Sequence, residues 1–226
     1  MKSLPAQCLL VLRKDLLLQW RTRSRFVAVL VFGVTTLLLF SFAVGYDSTV
    51  LRAHAPGYLW LAVLLSSTLF LSESFRVEMQ NGALEGLRLL PADPRALYYG
   101  KAIANLLVLG GMGLLLIPAM VLLYDARIVM GVGPLCLTIV LGAAGLVAPG
   151  TIYAALAGRA RASDVLLPLL LFPLVVPALL SAVKATTLVL EGDPMGQYPS
   201  WMGLLAAFNV VYWSLCGLMY RLVVED

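Results

Sequence analysis

Six long apolar stretches constrain this 226-residue chain more than any other feature. A helix needs about 20 consecutive apolar residues to cross roughly 30 Å of hydrocarbon. The stretches, of which the second is the shortest, are 26–45, 56–72, 101–124, 132–157, 165–190 and 201–222. Hydrophobic residues make up 61% of the chain and charged residues only 12%, so a soluble fold could not bury all the apolar surface. The sequence predicts an all-α integral membrane protein with six transmembrane helices in a single domain, 1–226.

The segment 1–25 precedes the first apolar stretch and has a different pattern. Its apolar side chains recur at helical spacing, and its basic side chains occupy the other faces. The apolar positions are Leu9, Leu12, Leu16 and Trp20. This pattern predicts a helix lying in the headgroup layer of the membrane. The stretch 26–45 has no small-residue cleavage site before Tyr46, so we expect a permanent span rather than a signal peptide.

Basic residues are distributed unevenly between the two sides of the six predicted spans. If the N-terminus is cytoplasmic, 13 of them lie inside and three outside. The inside set is Lys2, Arg13, Lys14, Arg21, Arg23, Arg25, Arg76, Arg88, Arg95, Lys101, Arg159, Arg161 and Arg221, and the outside set is Arg52, Arg127 and Lys184. The positive-inside rule therefore places both termini in the cytoplasm. Because the basic residues sort by loop rather than forming one face, the net charge of +4 does not indicate nucleic-acid binding.

A polar island, residues 73–101, lies between the second and third apolar stretches. It contains eight charged residues, namely Glu73, Arg76, Glu78, Glu85, Arg88, Asp93, Arg95 and Lys101. The flanking stretches 53–72 and 102–124 contain no Asp, Glu, Lys or Arg. The topology places the island in the cytoplasm, where a soluble partner could bind it.

Helix punctuation divides the polar island. Asn81 and Gly82 form a turn signal, and Pro91 ends whatever helix precedes it. We expect a short amphipathic helix over 83–90 along the membrane surface. Asp93 followed by Pro94 predicts a capped helix start that leads into the third span. Ser200 is expected to cap the sixth span in the same way.

The motifs that most enzymes need are missing from the sequence. The chain has one histidine, so neither a histidine metal cluster nor a histidine-based triad can be assembled within it. Gly100 and Lys101 are followed by Ala102 and lack the upstream glycine of an ATP-binding phosphate loop. The three cysteines are too far apart in sequence for a haem-attachment motif. We therefore expect no enzymatic activity, no catalytic residue and no metal site.

Two features of the predicted spans allow functional readings. Lys184 lies near the outer end of the fifth span, where its amine can reach the interface, and a charge held near the bilayer centre would instead demand a functional reason. Prolines are expected to kink the third, fourth and fifth spans, as in transporters that move. They are Pro118, Pro134, Pro149, Pro168, Pro173 and Pro177.

Six spans, an interfacial N-terminal helix and a cytoplasmic helical loop describe the membrane half of an exporter-like ATP-binding cassette (ABC) transporter. Particular residues also resemble one family, that of the cytochrome c maturation protein B (CcmB), called haem exporter protein B. The resemblance lies in Phe75, Arg76, Glu78, Asn81, Gly82, Leu84, Glu85, Leu87, Leu89, Leu90 and Pro91, in Arg52, Ala55, Pro56, Gly57 and Trp60, and in Leu64, Leu65, Ser66 and Ser67. It extends more loosely from Arg13 to the proline-rich fifth span.

The chain departs from the family pattern in three places. Asn81 stands where the family usually carries an acid, and Ala160-Arg161-Ala162-Ser163 stands where it has a glycine pair. His54 falls where the family tends to have an aliphatic residue, which argues against His54 as a haem ligand. The first two departures concern the detailed contacts with the ATPase rather than the fold.

The resemblance implies a bacterial inner-membrane subunit that binds no cofactor itself. It would pair with itself and with a CcmA-type ATPase that holds the ATP, beside the haem-handling proteins CcmC, CcmD and CcmE. The coupling segment would be 73–100, with contacts through Phe75, Glu78, Asn81, Gly82, Leu84, Glu85, Leu87 and Arg88. ATP hydrolysis would drive haem delivery and release of haem-loaded CcmE. Arg52 and Lys184 are the candidates for contacting haem propionates.

Three alternatives remain open on the sequence. The first is an ABC permease for a drug, a lipid or a polysaccharide, which neighbouring genes would distinguish. The second is a membrane enzyme acting on lipid, which would need clustered acids or histidines at one depth, and the spans have none. The third is a purely structural scaffold.

Overall fold

The computed structural model describes residues 4–45, 47–80, 93–159 and 163–225. These ranges consist of helices with short connections and contain no strand. The helices are α1 (Leu4–Arg21), α2 (Arg23–Val44), α3 (Ser48–Gln80), α4 (Pro94–Tyr124), α5 (Val132–Arg159), α6 (Ser163–Glu191) and α7 (Tyr198–Glu225).

Helices α2 to α7 are each long and apolar enough to cross a membrane. Their apolar portions are Arg23–Val44, Ser48–Phe75, Pro94–Tyr124, Val132–Gly158, Val165–Glu191 and Tyr198–Leu222. The six predicted spans are thereby confirmed as helices. The predicted bounds of the second were wrong, because its apolar portion has 28 residues and begins at Ser48 rather than at 56. The C-terminal end of α3, the start of α4, helix α1 and the C-terminal turns of α7 lie at one end of the bundle, which we call the island end; the other end is the far end.

The start of α3 explains the longer second span. The Asp47 carboxylate accepts hydrogen bonds from the backbone N–H groups of Thr49 at 3.0 Å and Val50 at 3.3 Å. These bonds satisfy amides that a helix N-terminus leaves without partners. Arg52 and His54 are consequently helical, and Pro56 lies inside α3.

Two predicted helix starts had different outcomes. Asp93 caps α4 by accepting a hydrogen bond from the Arg95 N–H at 2.9 Å, with Pro94 in the first turn, as predicted. The prediction for Ser200 was wrong, because α7 already begins at Tyr198. Asp193 makes the capping contacts instead, accepting from the N–H groups of Gln197 and Tyr198 at 2.8 Å each.

The six prolines that were expected to kink the third, fourth and fifth spans occupy two kinds of position. Pro134 is the third residue of α5, within the first turn, where a missing N–H costs nothing, so it has no helix interior to kink. The other five lie inside helices that continue through them. They are Pro118, Pro149, Pro168, Pro173 and Pro177.

Helices α3 and α5 form the centre of the bundle. In α5, 72% of the apolar span is buried within the chain, compared with 22% in α2 and in α7. At Gly142 of α5, an added Cβ would overlap the Trp60 ring of α3. The Trp60 Nε1–H donates to Thr186 Oγ1 of α6 at 2.9 Å. Three helices are thus held together by one buried side chain.

Candidate functional site

The two helices that enclose the polar island extend beyond the apolar core. Helix α3 runs five residues past Phe75, the end of its apolar portion, and α4 begins at Pro94. Glu78 is described in its backbone only. The predicted contacts Asn81, Gly82, Leu84, Glu85, Leu87 and Arg88, with the predicted helix 83–90, lie outside the described residues.

Phe75 is the predicted contact whose side chain the structure places, and it belongs to the core. Its ring is 2% exposed and packs under the amine of Lys101, with the Lys101 Nζ 4.5 Å from the ring centroid. A cation over an aromatic face is attracted by the ring quadrupole. Phe75 therefore packs at the base of the island, and its role in contacting an ATPase stays a prediction.

Lys101 also forms a buried ion pair with α1. Its Nζ lies 3.5 Å from Asp15 Oδ2, and the Lys14 Nζ lies 3.1 Å from Asp15 Oδ1. Asp15 is 4% exposed and Lys101 is 5% exposed. Buried charges are stable only when paired. The pair therefore couples the position of α1 to that of α4.

The face of α1 that packs against the protein is not centred on the apolar positions singled out in the sequence. Leu9 and Trp20 of the predicted stripe are 64% and 72% exposed. The face that meets α4 carries Cys8, Val11 and Asp15. An exposed apolar side is consistent with a helix in the headgroup layer, and that placement stays a prediction.

Gly100 permits the close contact between α1 and α4. An added Cβ at this position would lie 2.7 Å from Val11 Cβ and 2.8 Å from the Cys8 carbonyl oxygen. No real Cβ is found this close to backbone. Partial burial raises the pKa of the Cys8 thiol, because it disfavours the thiolate.

A polar network continues from the ion pair into the bundle. Ser74 Oγ of α3 donates to Asn105 Oδ1 of α4 at 3.4 Å, and Asn105 Nδ2 donates to Thr151 Oγ1 of α5 at 3.3 Å. The Tyr98 hydroxyl donates to the Ala148 carbonyl at 3.0 Å. Because unsatisfied polar groups are costly within a membrane, these bonds fix the relative positions of α3, α4 and α5.

The two residues predicted to contact haem propionates, Arg52 and Lys184, have different surroundings at the far end. Arg52 forms an ion pair with Asp125, the residue that ends α4 in a left-handed conformation. Lys184 is exposed on α6, seven residues before the end of that helix at Glu191. Their contact with haem propionates stays a prediction.

His54 lies on the exposed surface of α3. Its Nδ1 is 2.9 Å from the Val50 carbonyl oxygen, and its ring stacks on Tyr58 with 5.9 Å between centroids. Among the residues that the structure describes, no group of three or more His, Cys, Asp or Glu side chains could hold a metal ion.

Sequence reasoning missed Asp15, Asn105 and the pairing role of Lys101. A signal was available for two of them. Lys101 and Asn105 are in helical phase with Tyr98, Leu109 and Met112, all buried. Polar residues in phase with a core face predict buried polar contacts. The partner of Lys101 is 86 residues away in sequence and carries no comparable signal.

Six apolar helices, joined by buried hydrogen bonds between helices, define a multi-pass helical membrane protein. The family model for the CcmB protein matches residues 6–220, so the chain belongs to the CcmB family.

Similar proteins include three called heme exporter protein B. The chain is 30% identical over 198 residues to that of Pseudomonas aeruginosa, covering 88% of each chain. It is 29% identical over 201 residues to that of Bradyrhizobium diazoefficiens, covering 89% of each. The identity to that of Haemophilus influenzae is 32% over 201 residues, covering 88% of this chain and 89% of the relative.

Proposed function

We propose that this chain is the membrane subunit of an ABC-type complex for cytochrome c biogenesis. In this proposal a separate CcmA-type ATPase hydrolyses ATP, and the chain transmits the resulting movement into the membrane. Haem is the cargo handled by the complex rather than a resident cofactor of this chain. The family membership and the names of the relatives support this choice.

One observation carries the coupling step, namely the contact between the described ends of the two helices that flank segment 81–92. Phe75 of α3 packs against Lys101 of α4, and Lys101 pairs with Asp15 of α1. An ATPase can move the transmembrane helices only by acting on a segment that is firmly attached to them. A displacement of segment 81–92 would therefore be passed to α3 and α4, and from Lys101 to α1.

The proposed contacts with the ATPase lie between Glu78 and Arg88. Leu84 and Leu87 supply apolar contacts, and Glu85 and Arg88 supply charges beside them. Interfaces of this kind concentrate their binding energy in a few packed residues. Gly82 provides the turn that sets the direction of the segment.

The remaining partners are proposed from the family. The chain forms a homodimer and works beside CcmC, CcmD and the haem chaperone CcmE, whose haem-loaded form the complex releases. Arg52 and Lys184 are proposed as contacts for haem propionates at the far end. The basic-residue bias supports a bacterial inner membrane location with both termini in the cytoplasm.

Co-purification tests this function. The tagged chain should carry with it an ATPase subunit and a CcmC-type protein from membranes of cells that mature c-type cytochromes. Deletion of the gene should abolish holocytochrome c while apocytochrome is still made. An ATPase without CcmC, together with normal holocytochrome, would instead indicate a permease for a drug, a lipid or a polysaccharide.

A further inference from the structure

A cavity of about 700 Å³ opens among helices α1 to α4 at the island end. Its walls are mostly apolar and include Leu69 and Phe70 of α3 and Leu107 and Leu115 of α4. Along α4 the lining runs from Lys101 to Leu115, which at 1.5 Å per residue is about 21 Å. The cavity is therefore long, and it reaches from the end of the bundle into the depth of the hydrocarbon layer.

The rim of the cavity is basic. Arg23 and Arg25 of the first turn of α2 line it, and the Arg23 guanidinium lies 5.8 Å from the centre of the Trp20 ring, which also lines the cavity. Asp15 and Glu73 are the acidic lining residues, and Asp15 is paired with Lys101 and Lys14. The two arginines thus give the rim a positive field.

The start of α2 adds to this field. The Thr22 side chain does not cap the helix, because its hydroxyl donates to the Leu18 carbonyl oxygen at 2.9 Å. An uncapped helix N-terminus favours a negative group. The cavity also contains a buried acceptor, since Gln19 Oε1 has no hydrogen-bond donor among the described residues.

We propose that this cavity binds one anionic glycerophospholipid from the leaflet at the island end. The phosphate pairs with Arg23 and Arg25 at the rim. One acyl chain lies along Leu69, Leu107 and Leu115. This inference does not depend on the proposed function.

The lining distinguishes a lipid from haem, the other amphipathic anion relevant to this family. Haem iron is held in proteins by His, Cys, Met or Tyr side chains. None of the described residues that line the cavity is of these types. A phospholipid needs no such ligand and matches both the basic rim and the apolar depth.

Native mass spectrometry of the detergent-purified chain tests the proposal. Phosphatidylglycerol and phosphatidylcholine with identical acyl chains are added in turn, so that only the headgroup charge differs. We expect one phosphatidylglycerol to stay bound and phosphatidylcholine to be lost. Equal retention of the two lipids would overturn the proposal.

Matched variants locate the bound lipid. The double variant Arg23→Gln with Arg25→Gln should weaken phosphatidylglycerol binding roughly thirtyfold, from about a fivefold factor for each cation at a lipid surface. The control is Arg95→Gln with Arg127→Gln, which removes two exposed cations that do not line the cavity and should leave binding unchanged. Equal loss in both pairs would show a general surface effect and contradict the proposed site.

A cavity-filling variant tests the acyl-chain part. An added Cβ at Gly111, which lines the cavity, meets nothing within 4 Å, and the same holds for the exposed Gly203 of α7. Gly111→Phe should abolish binding of the lipid, and Gly203→Phe should not. Unchanged binding in Gly111→Phe, or added haem that binds to the parent and is lost in this variant, would contradict a lipid site here.

Discussion

Lys101 Nζ lies 3.5 Å from Asp15 Oδ2, and both side chains are almost completely buried at the base of the polar island. This contact joins α1 to α4 across 86 residues of sequence. Because a buried charge without its partner is costly, the pair makes the position of α1 depend on α4.

Removing one partner of this pair should therefore destabilise the protein strongly. Asp15→Asn removes the carboxylate that pairs with the buried Lys101 ammonium, and removing one partner of a buried ion pair costs about 3–5 kcal/mol. The double variant Asp15→Leu with Lys101→Met removes both charges and should recover most of this loss. The stability of both variants can be measured by thermal unfolding in detergent. A double variant less stable than the single one would show that the contact is not a mutually dependent pair.

The Gly100 contact gives a second prediction. Gly100→Ala places a methyl group against Val11 and the Cys8 carbonyl, so α1 should separate from α4. Gly110→Ala is the control, because an added Cβ there meets nothing within 4 Å and alanine favours a helix by about 1 kcal/mol. Protease digestion in detergent should release the N-terminal segment faster from Gly100→Ala alone. If both variants are digested at the same rate, α1 does not pack closely against Gly100.

The Cys8 thiol gives a prediction about pH dependence. Its pKa is raised because burial disfavours the thiolate, so the folded protein holds the proton to higher pH than the unfolded chain does. In a chain carrying Cys136→Ser and Cys216→Ser, the rate of maleimide labelling plotted against pH should shift upward relative to the chain in SDS. Coincident profiles would mean that Cys8 is not covered by α4.

Membrane orientation can be tested at two exposed positions. Met195 is 80% exposed in the connection between α6 and α7 at the far end, and Arg95 is exposed at the island end. In intact cells an impermeant thiol reagent should label Met195→Cys and not Arg95→Cys, because the basic-residue bias places the island in the cytoplasm. If Arg95→Cys is labelled and Met195→Cys is not, the protein has the opposite orientation in the membrane.

Much of the fold follows from local sequence patterns, and the exceptions have physical reasons. Apolar length predicted six spans, and Asp93 with Pro94 predicted the start of α4. The first turns of α3 were not predicted, because the charged Arg52 and the polar His54 interrupt the apolar stretch there. Asp193 rather than Ser200 caps α7, because the intervening turn brings its carboxylate back to the helix.

The candidate site was less predictable, because its contacts are tertiary. Phe75 is buried under Lys101, a contact that the sequence did not predict because it depends on how α3 and α4 pack. The pairing of Asp15 depends on the same packing. The contacts from Glu78 to Arg88 rest on sequence pattern and family resemblance and stay a prediction.

The coupling role of the polar island is the central claim, and Glu85→Arg tests it most directly. Reversing a paired interface charge costs about 2–5 kcal/mol, whereas a change on a solvated helix face is worth within about 0.5 kcal/mol. The account predicts that Glu85→Arg, like Gly82→Val, inserts at normal levels but loses the co-purifying ATPase and holocytochrome c. Arg127→Glu at the far end, the charge-reversal control, should keep both. If Glu85→Arg retains the ATPase and matures cytochromes as the parent does, the island is not the coupling element.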